Sequence, residues 1–314
     1  MKTKFCTMFT MSRPLSTLLL LLTLLCMVSW SSPAAAQQTD TPKMYAVLED
    51  NGTTLRFKYD TNMPETGGYP LDAYKSRPSW NTNENIKNVT IVIFDKSCQF
   101  ARPERCDLWF WGFEKLERVD GLNYLNTEEV KSMSNMFWGC KSLLTLDLST
   151  FNTQNVTNMY AMFYDCQRLK RLDVSSFNTQ NVTDMSHVFE GCYALTSLDL
   201  SSFKTQNVIT MADMFSGCSA LTKLDVSGFD TQNVTNMSHM FGGCSALTSL
   251  NLSNFKTQKV TNMAVMFSSC SVLTSLDLTS FDTQNVTQMD NMFSGCKALT
   301  SLDPKIRNYH PIHD

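Results

Sequence analysis

The chain contains no block of lysines or arginines, and its formal net charge is −3 at pH 7. Without clustered positive charge no counterion release can drive association, which excludes nucleic acid and anionic membrane surfaces as partners and leaves neutral or basic ones. Histidine is nearly absent, limited to His187, His239, His310 and His313. Cysteine-based catalysis needs a base held close to the thiol, yet the regularly spaced cysteines of this chain have no histidine at a fixed offset. Their separation is also far wider than the short loops that close around structural zinc. These absences predict a protein that is not an enzyme and holds no cofactor. Long apolar runs are missing too: Leu18 to Val28 is short of the roughly 20 residues a membrane span requires, and no later segment approaches that length.

That short run has a different reading. Lys2, Lys4 and Arg13 precede it, and Pro33-Ala34-Ala35-Ala36 follows with small residues, the pattern of a secretory signal peptide over residues 1–36, cleaved near Ala36. Removing three positive charges and no acids would leave the exported chain at −6. The expected location is outside the cell, secreted or at the cell surface. Cys26 is not preceded by the small residue that a lipid-attachment site would want.

Seven cysteines, Cys140, Cys166, Cys192, Cys218, Cys244, Cys270 and Cys296, recur every 26 residues, each within the unit V-x-x-M-x-x-M-F-x-x-C-x-x-L-x-x-L-D-L-S-x-F-x-T-Q-N. A period of this length marks a repeat array, in which each unit can bury its apolar face only against its neighbours. Phe137 to Phe293, Met133 to Met289, Leu143 to Leu299 and Leu146 to Leu302 repeat in register and define the inward columns. Cysteines of one column have parallel side chains and cannot turn their Cβ atoms towards each other, so they are expected as buried thiols rather than disulfides. Cys98 and Cys106, eight residues apart and outside the array, are the one pair placed to close a loop in an oxidising compartment.

Within the unit two periodicities alternate. Val234, Met237, Met240, Phe241 and Cys244 follow the spacing of a short helix, with Thr235 as its N-cap and Gly242-Gly243 as its end. Leu247 to Leu252 alternates as a strand. Helix and strand every 26 residues predict an α/β solenoid, a horseshoe or gentle curve with a parallel sheet on one face and short helices on the other. Before the array, residues 37–102 read as a linker and a small N-terminal β cap: Tyr45 and Val47 alternate, then Leu55, Phe57 and Tyr59, with the hairpin signal Asn51-Gly52 between. Residues 103–129 form a degenerate transition repeat, 130–303 the seven regular repeats, and 304–314 a polar tail in which Pro304 blunts the last edge.

The unit M-F-x-x-C-x-x-L-x-x-L-D-L-S-x-F-x-T-x-N-V-T-x-M resembles the repeat of BspA-like leucine-rich-repeat surface proteins, common in Bacteroidetes and other host-associated microbes. The likeness spans about residues 103–303, and the segment Y-A-V-L-E-D-N-G-T-T-L-R-F also resembles the amino-terminal part of such proteins. It implies a secreted or surface-displayed protein that adheres to host matrix proteins or other cells. The chain departs from many relatives in showing no evident carboxy-terminal anchoring segment.

The residues singled out for a binding face are a column on the strands: Asp147, Asp173, Asp199, Asp225, Asp277 and Asp303, with Asn251 in the one gap. Alternation sets them opposite the buried leucines, on the exposed side of a sheet whose strands lie about 4.8 Å apart. Like charges at that spacing repel by close to 1 kcal/mol in water, so they require compensation. Neighbouring Ser and Thr hydroxyls and backbone N–H groups can supply it, or a basic or hydroxyl-rich partner; calcium fits worse, because it wants six to eight converging oxygens. Arg171 and Lys223 break an otherwise Ser/Thr column alongside. His187 and His239 fall on a position also occupied by Ala161, Asp213, Val265 and Asn291, and read as surface variation. The expectation is an adhesin or interaction scaffold contacting a protein partner through this face; a self-associating surface-coat protein is the alternative.

Overall fold

The computed structural model describes residues 41–71 and 77–300. The expected signal peptide, Leu302, Asp303, Pro304 and the two tail histidines lie outside the described residues. Strand β1 (Lys43–Glu49) and β2 (Thr54–Asp60) pair antiparallel across a turn at Asp50–Gly52. Asn51 and Gly52 take the left-handed conformation there, which is why the hairpin signal holds these two residues. β3 (Gly68–Pro70) adds antiparallel to β1; β4 (Ile91–Phe94) adds parallel to β2, and β5 (Arg118–Asp120) parallel to β4. The five strands run in the order β3-β1-β2-β4-β5. Since β5 belongs to the transition repeat, one sheet joins the cap to the beginning of the array.

Aromatic packing fills the cap. Phe57 stacks on Phe94 and on Trp109, with centroids 4.7 and 5.4 Å apart, and meets Trp80 edge-on at 5.1 Å. All four are fully buried. The Trp80 indole N–H donates to the carbonyl of Trp109 at 3.0 Å, and the buried Asn81 amide donates to the carbonyls of Leu108 and Trp111. These three bonds tie the cap to the transition repeat, across 27 to 30 residues of chain. The single α-helix among the described residues, α1 (Asn83–Ile86), has Thr82 as its N-cap and lies here.

From Arg105 onward successive 26-residue coils stack in parallel, joined by single bridges Arg105–Ser132, Ser132–Asn158, Asn158–Asp184 and so on to Asn262–Gln288. The chain is mainly β, and the helices expected in every repeat are absent from the described residues. Asn135 and Gly139 show why. Both are left-handed, at φ 57° and 73°, and the equivalent pair recurs coil after coil as Ala161 with Asp165, His187 with Gly191, and His239 with Gly243. A helix cannot pass through such residues. The N–H groups of Met133, Asn135, Phe137 and Gly139 donate to carbonyls of the next coil at 2.7 to 3.0 Å, whereas those of Met136, Trp138 and Cys140 donate three residues back. Every second N–H therefore leaves the coil sideways, where a helix would keep all of them. The i, i+3, i+6, i+7 spacing belongs to these chained turns. Thr235, expected as a helix cap, instead donates its hydroxyl to the Ile209 carbonyl one coil earlier. Gly243 is favoured by proximity as well as by φ, since a Cβ there would stand 3.3 Å from the backbone of Gly217.

On the opposite side β6 (Thr145–Asp147) and β7 (Arg171–Asp173) pair in parallel. Beyond them the parallel sheet expected across all repeats lapses. Near Thr248 both the amide and the hydroxyl reach for the Thr222 carbonyl, at 3.4 and 3.3 Å, so the side chain competes with the ladder bond.

Three buried columns hold the coils in register. Phe137, Phe163, Phe189, Phe215, Phe241, Phe267 and Phe293 stack at 5.6 to 5.9 Å with nearly parallel rings. Each array cysteine from Cys140 to Cys296 donates its S–H to a carbonyl of the preceding coil, as Cys218 does to Phe189 at 3.2 Å. The thiols thus add a bond to the apolar role expected of them. Threonines of the T-Q-N segment and the equivalent Thr127 and Thr257 do more. The Thr205 hydroxyl donates to the Asp230 carbonyl at 2.9 Å and accepts the N–H of the same residue at 2.7 Å, and Thr127, Thr153, Thr179, Thr231 and Thr257 repeat the arrangement. These threonines are at most 3 % exposed, so one hydroxyl satisfies two main-chain groups in a place water does not reach.

Candidate functional site

The carboxylate column is present and exposed at Asp147, Asp173, Asp199, Asp225 and Asp277, with Asn251 among them; Asp303 lies outside the described residues. Local geometry places it. In the alternation L-D-L-S the leucines point inward, as with Leu146 and Leu148, and the aspartate between them points out. Each Asp then closes the turn that follows. Asp147, Asp199 and Asp225 accept the backbone N–H of the Ser two residues on at 2.9 Å. Asp173 and Asp277 accept both the N–H and the hydroxyl of Ser175 and Thr279. These bonds favour the charged form: hydrogen bonds from residue 149, 201, 227 or 279 hold the carboxyls of Asp147, Asp199, Asp225 and Asp277 below the usual carboxylate value. Asn251 accepts the same two bonds from Ser253 through its amide oxygen. These turn bonds fall on Oδ1, and the aspartate side chains remain exposed.

Alongside, Arg171 and Lys223 are exposed and form no ion pair with the described residues. An open depression of about 570 Å³ runs across three coils here, lined by Thr145, Asp147, Arg171, Asp173, Ser197 and Asp199 among others. Such a surface offers carboxylate oxygens, hydroxyls and one guanidinium in a fixed array, the chemistry that recognises basic or hydroxyl-rich partners.

Cys98 and Cys106, the pair suggested as a disulfide, are separate thiols, both fully buried. Cys98 sits in a 3-10 turn of the cap, Lys96–Phe100, and the Cys106 amide bonds across to Ser132 in the first regular coil, so the two belong to different layers.

The turn side holds a cluster that the sequence reading set aside. His187 Nδ1 lies 2.5 Å from Glu190 Oε2 and 3.9 Å from Asp213 Oδ2, and His239 Nδ1 lies 3.7 Å from Asp213 Oδ1. The bond to Glu190 raises the imidazole of His187 above its ordinary value, and burial raises the Asp213 carboxyl. The rings of Tyr160 and Tyr164 flank His187 at 5.2 and 6.2 Å. Equivalent positions of successive coils lie side by side, so His187, Asp213 and His239, read one at a time as surface variation, are neighbours; their succession at steps of 26 was the available signal.

Stacked coils tied at a 26-residue step define a repeat protein. The model of a family described as "Mycoplasma protein of unknown function, DUF285" matches residues 106–224 and again 211–309, and the chain belongs to that family. Among solved structures, a leucine-rich repeat protein from Bacteroides ovatus ATCC 8483 is similar at 13 % identity, over 83 % of this chain and 80 % of that one, with a TM-score of 0.34. Curated proteins provide no match.

Proposed function

We propose that the protein is an exported leucine-rich-repeat solenoid of the BspA-like type that acts as an adhesin or interaction scaffold, contacting a protein partner, in particular a host matrix or cell-surface protein, through the strip from Arg171 to Ser275. The observation that carries this reading is the repeated exposed carboxylate: each Asp is fixed by a turn bond to its Oδ1 and faces solvent, at a constant step along the stack. Many weak polar contacts on one rigid strip add as a multivalent surface. Export rests on the leader-like amino terminus. No enzymatic step is assigned. Among the described residues no helix is long and apolar enough to cross a membrane.

Asn251 makes the test clean, because it shows that an amide keeps the turn bonds. The combined variant Asp173→Asn, Asp199→Asn, Asp225→Asn should keep its fold and lose saturable binding to immobilised extracellular-matrix proteins. Equal binding by both proteins would move the interface elsewhere. No binding by either, with a solution mass that grows with concentration, would favour the coat-protein alternative.

A further inference from the structure

The turn-side cluster combines residue types that neither packing nor the repeat consensus requires. At its column the other coils place Asn135, Ala161, Val265 and Asn291, yet three consecutive coils place His187, Asp213 and His239, and Glu190 joins them from the next turn. One ligand atom each from His187, Glu190 and Asp213 can be chosen so that all lie within 4.8 Å of one another. We propose that His187, Glu190 and Asp213 form a site for a divalent transition-metal ion of the zinc class.

The donor set selects the metal. One imidazole with two carboxylates suits zinc and its neighbours; calcium and magnesium prefer oxygen alone and more of it. Zinc bonds of about 2.0–2.2 Å put ligand atoms roughly 3.3–3.5 Å apart around a tetrahedral ion. The 2.5 Å contact between His187 and Glu190 would open and the 3.9 Å separation from Asp213 would close, each by an ångström or less, within the reach of side-chain rotation. His239 supplies the outer layer, since its Nδ1 faces the other oxygen of Asp213 at 3.7 Å and can orient that carboxylate. The left-handed backbone at residues 187, 213 and 239 is pinned by amide bonds to Ala212, Ser238 and Ala264, so two of the ligands project from a rigid frame. The three ligands are between 19 and 28 % exposed, accessible to an ion yet partly shielded from water. The rings of Tyr160 and Tyr164 stand beside His187.

The test is zinc titration of the full chain after dialysis against a chelator, by calorimetry and by thermal unfolding, with Asp213→Asn, His187→Gln and His239→Gln beside it. One equivalent of Zn²⁺ should bind and raise the melting temperature, and Ca²⁺ and Mg²⁺ should not. Asp213→Asn and His187→Gln should weaken binding by at least about tenfold, and His239→Gln by less than either. Asp199→Asn, on the opposite face, should bind as the parent does. Failure of the parent to take up zinc would overturn the site. So would uptake unchanged in Asp213→Asn, which would place the ion elsewhere, for example on His310 and His313. Matrix binding is not read here, so the outcome is independent of the function proposed above.

Discussion

The cap and the array bury comparable kinds of side chain and hold them by different means. In the cap, seven-residue strands pair along their whole length and an aromatic group locks the sheet to the next layer. In the array, named strands shrink to three residues, and register passes to side chains bonded to the main chain of adjacent coils. A sheet tolerates exchange of most residues that fit its pleat, because the ladder is made by backbone alone. A stack tied by hydroxyls and thiols depends on particular atoms at fixed intervals. That is why the array is so repetitive in sequence and the cap is not.

The largest effect should come from the aromatic group that joins the cap to the transition repeat. Trp109→Ala removes a fully buried ring that touches Phe57, Trp80, Phe94 and Phe110, and should cost about 3–5 kcal/mol in denaturant unfolding. Next is Thr205→Val, similar in size but unable to bond, which strands the N–H and carbonyl of Asp230; a loss of about 2–4 kcal/mol is expected, most of it recovered by Thr205→Ser. If the coils are coupled mainly through such bonds, this variant should also broaden the transition, as nearest-neighbour coupling weakens.

Cys218→Ala should cost about 1 kcal/mol, the worth of one hydrogen bond and a small apolar group. In the parent, burial pushes the thiols of Cys192 and Cys244 up to about 12, so neither they nor their column should react with alkylating agents at pH 8 until the chain unfolds. Labelling followed by mass spectrometry checks this; rapid modification of the native column would contradict the packing. The smallest effect concerns pH. Asp147, Asp199, Asp225 and Asp277 have carboxyls lowered by their turn bonds, so their contribution is complete above the unfolded carboxylate value near 3.8 and is lost as the pH falls through the depressed values. These groups are exposed, so acid unfolding should shift only slightly in an Asp225→Asn variant.

Much of this was legible in the sequence. Repeats of 26 residues, inward Phe, Met, Leu and Cys columns and an outward Asp column follow from period and alternation, and Asn51-Gly52 marked the first hairpin. The turns were not legible, because apolar spacing of three and four is shared by a helix and by chained turns with left-handed residues. The distinguishing mark was Asn or Gly at residues such as 135, 139, 191 and 243, partly concealed where Ala161, Val265 and Ser269 adopt the same backbone. The His187 cluster was on one column, but its residues were read one by one and not as neighbours across coils. Thr205 and its equivalents were visible as a column, but a threonine in a polar T-Q-N segment gives no hint that its hydroxyl is buried and doubly bonded.

The account rests on that threonine ladder, and amide hydrogen exchange tests it directly. Asn152, Asn178, Lys204, Asp230, Lys256 and Asp282 donate their N–H to a buried threonine oxygen, so their amides should exchange as slowly as those in the β1–β2 pair of the cap, and Thr205→Val should release Asp230 first. Fast exchange at these six amides in the parent protein would mean that the coils are not held in register as described.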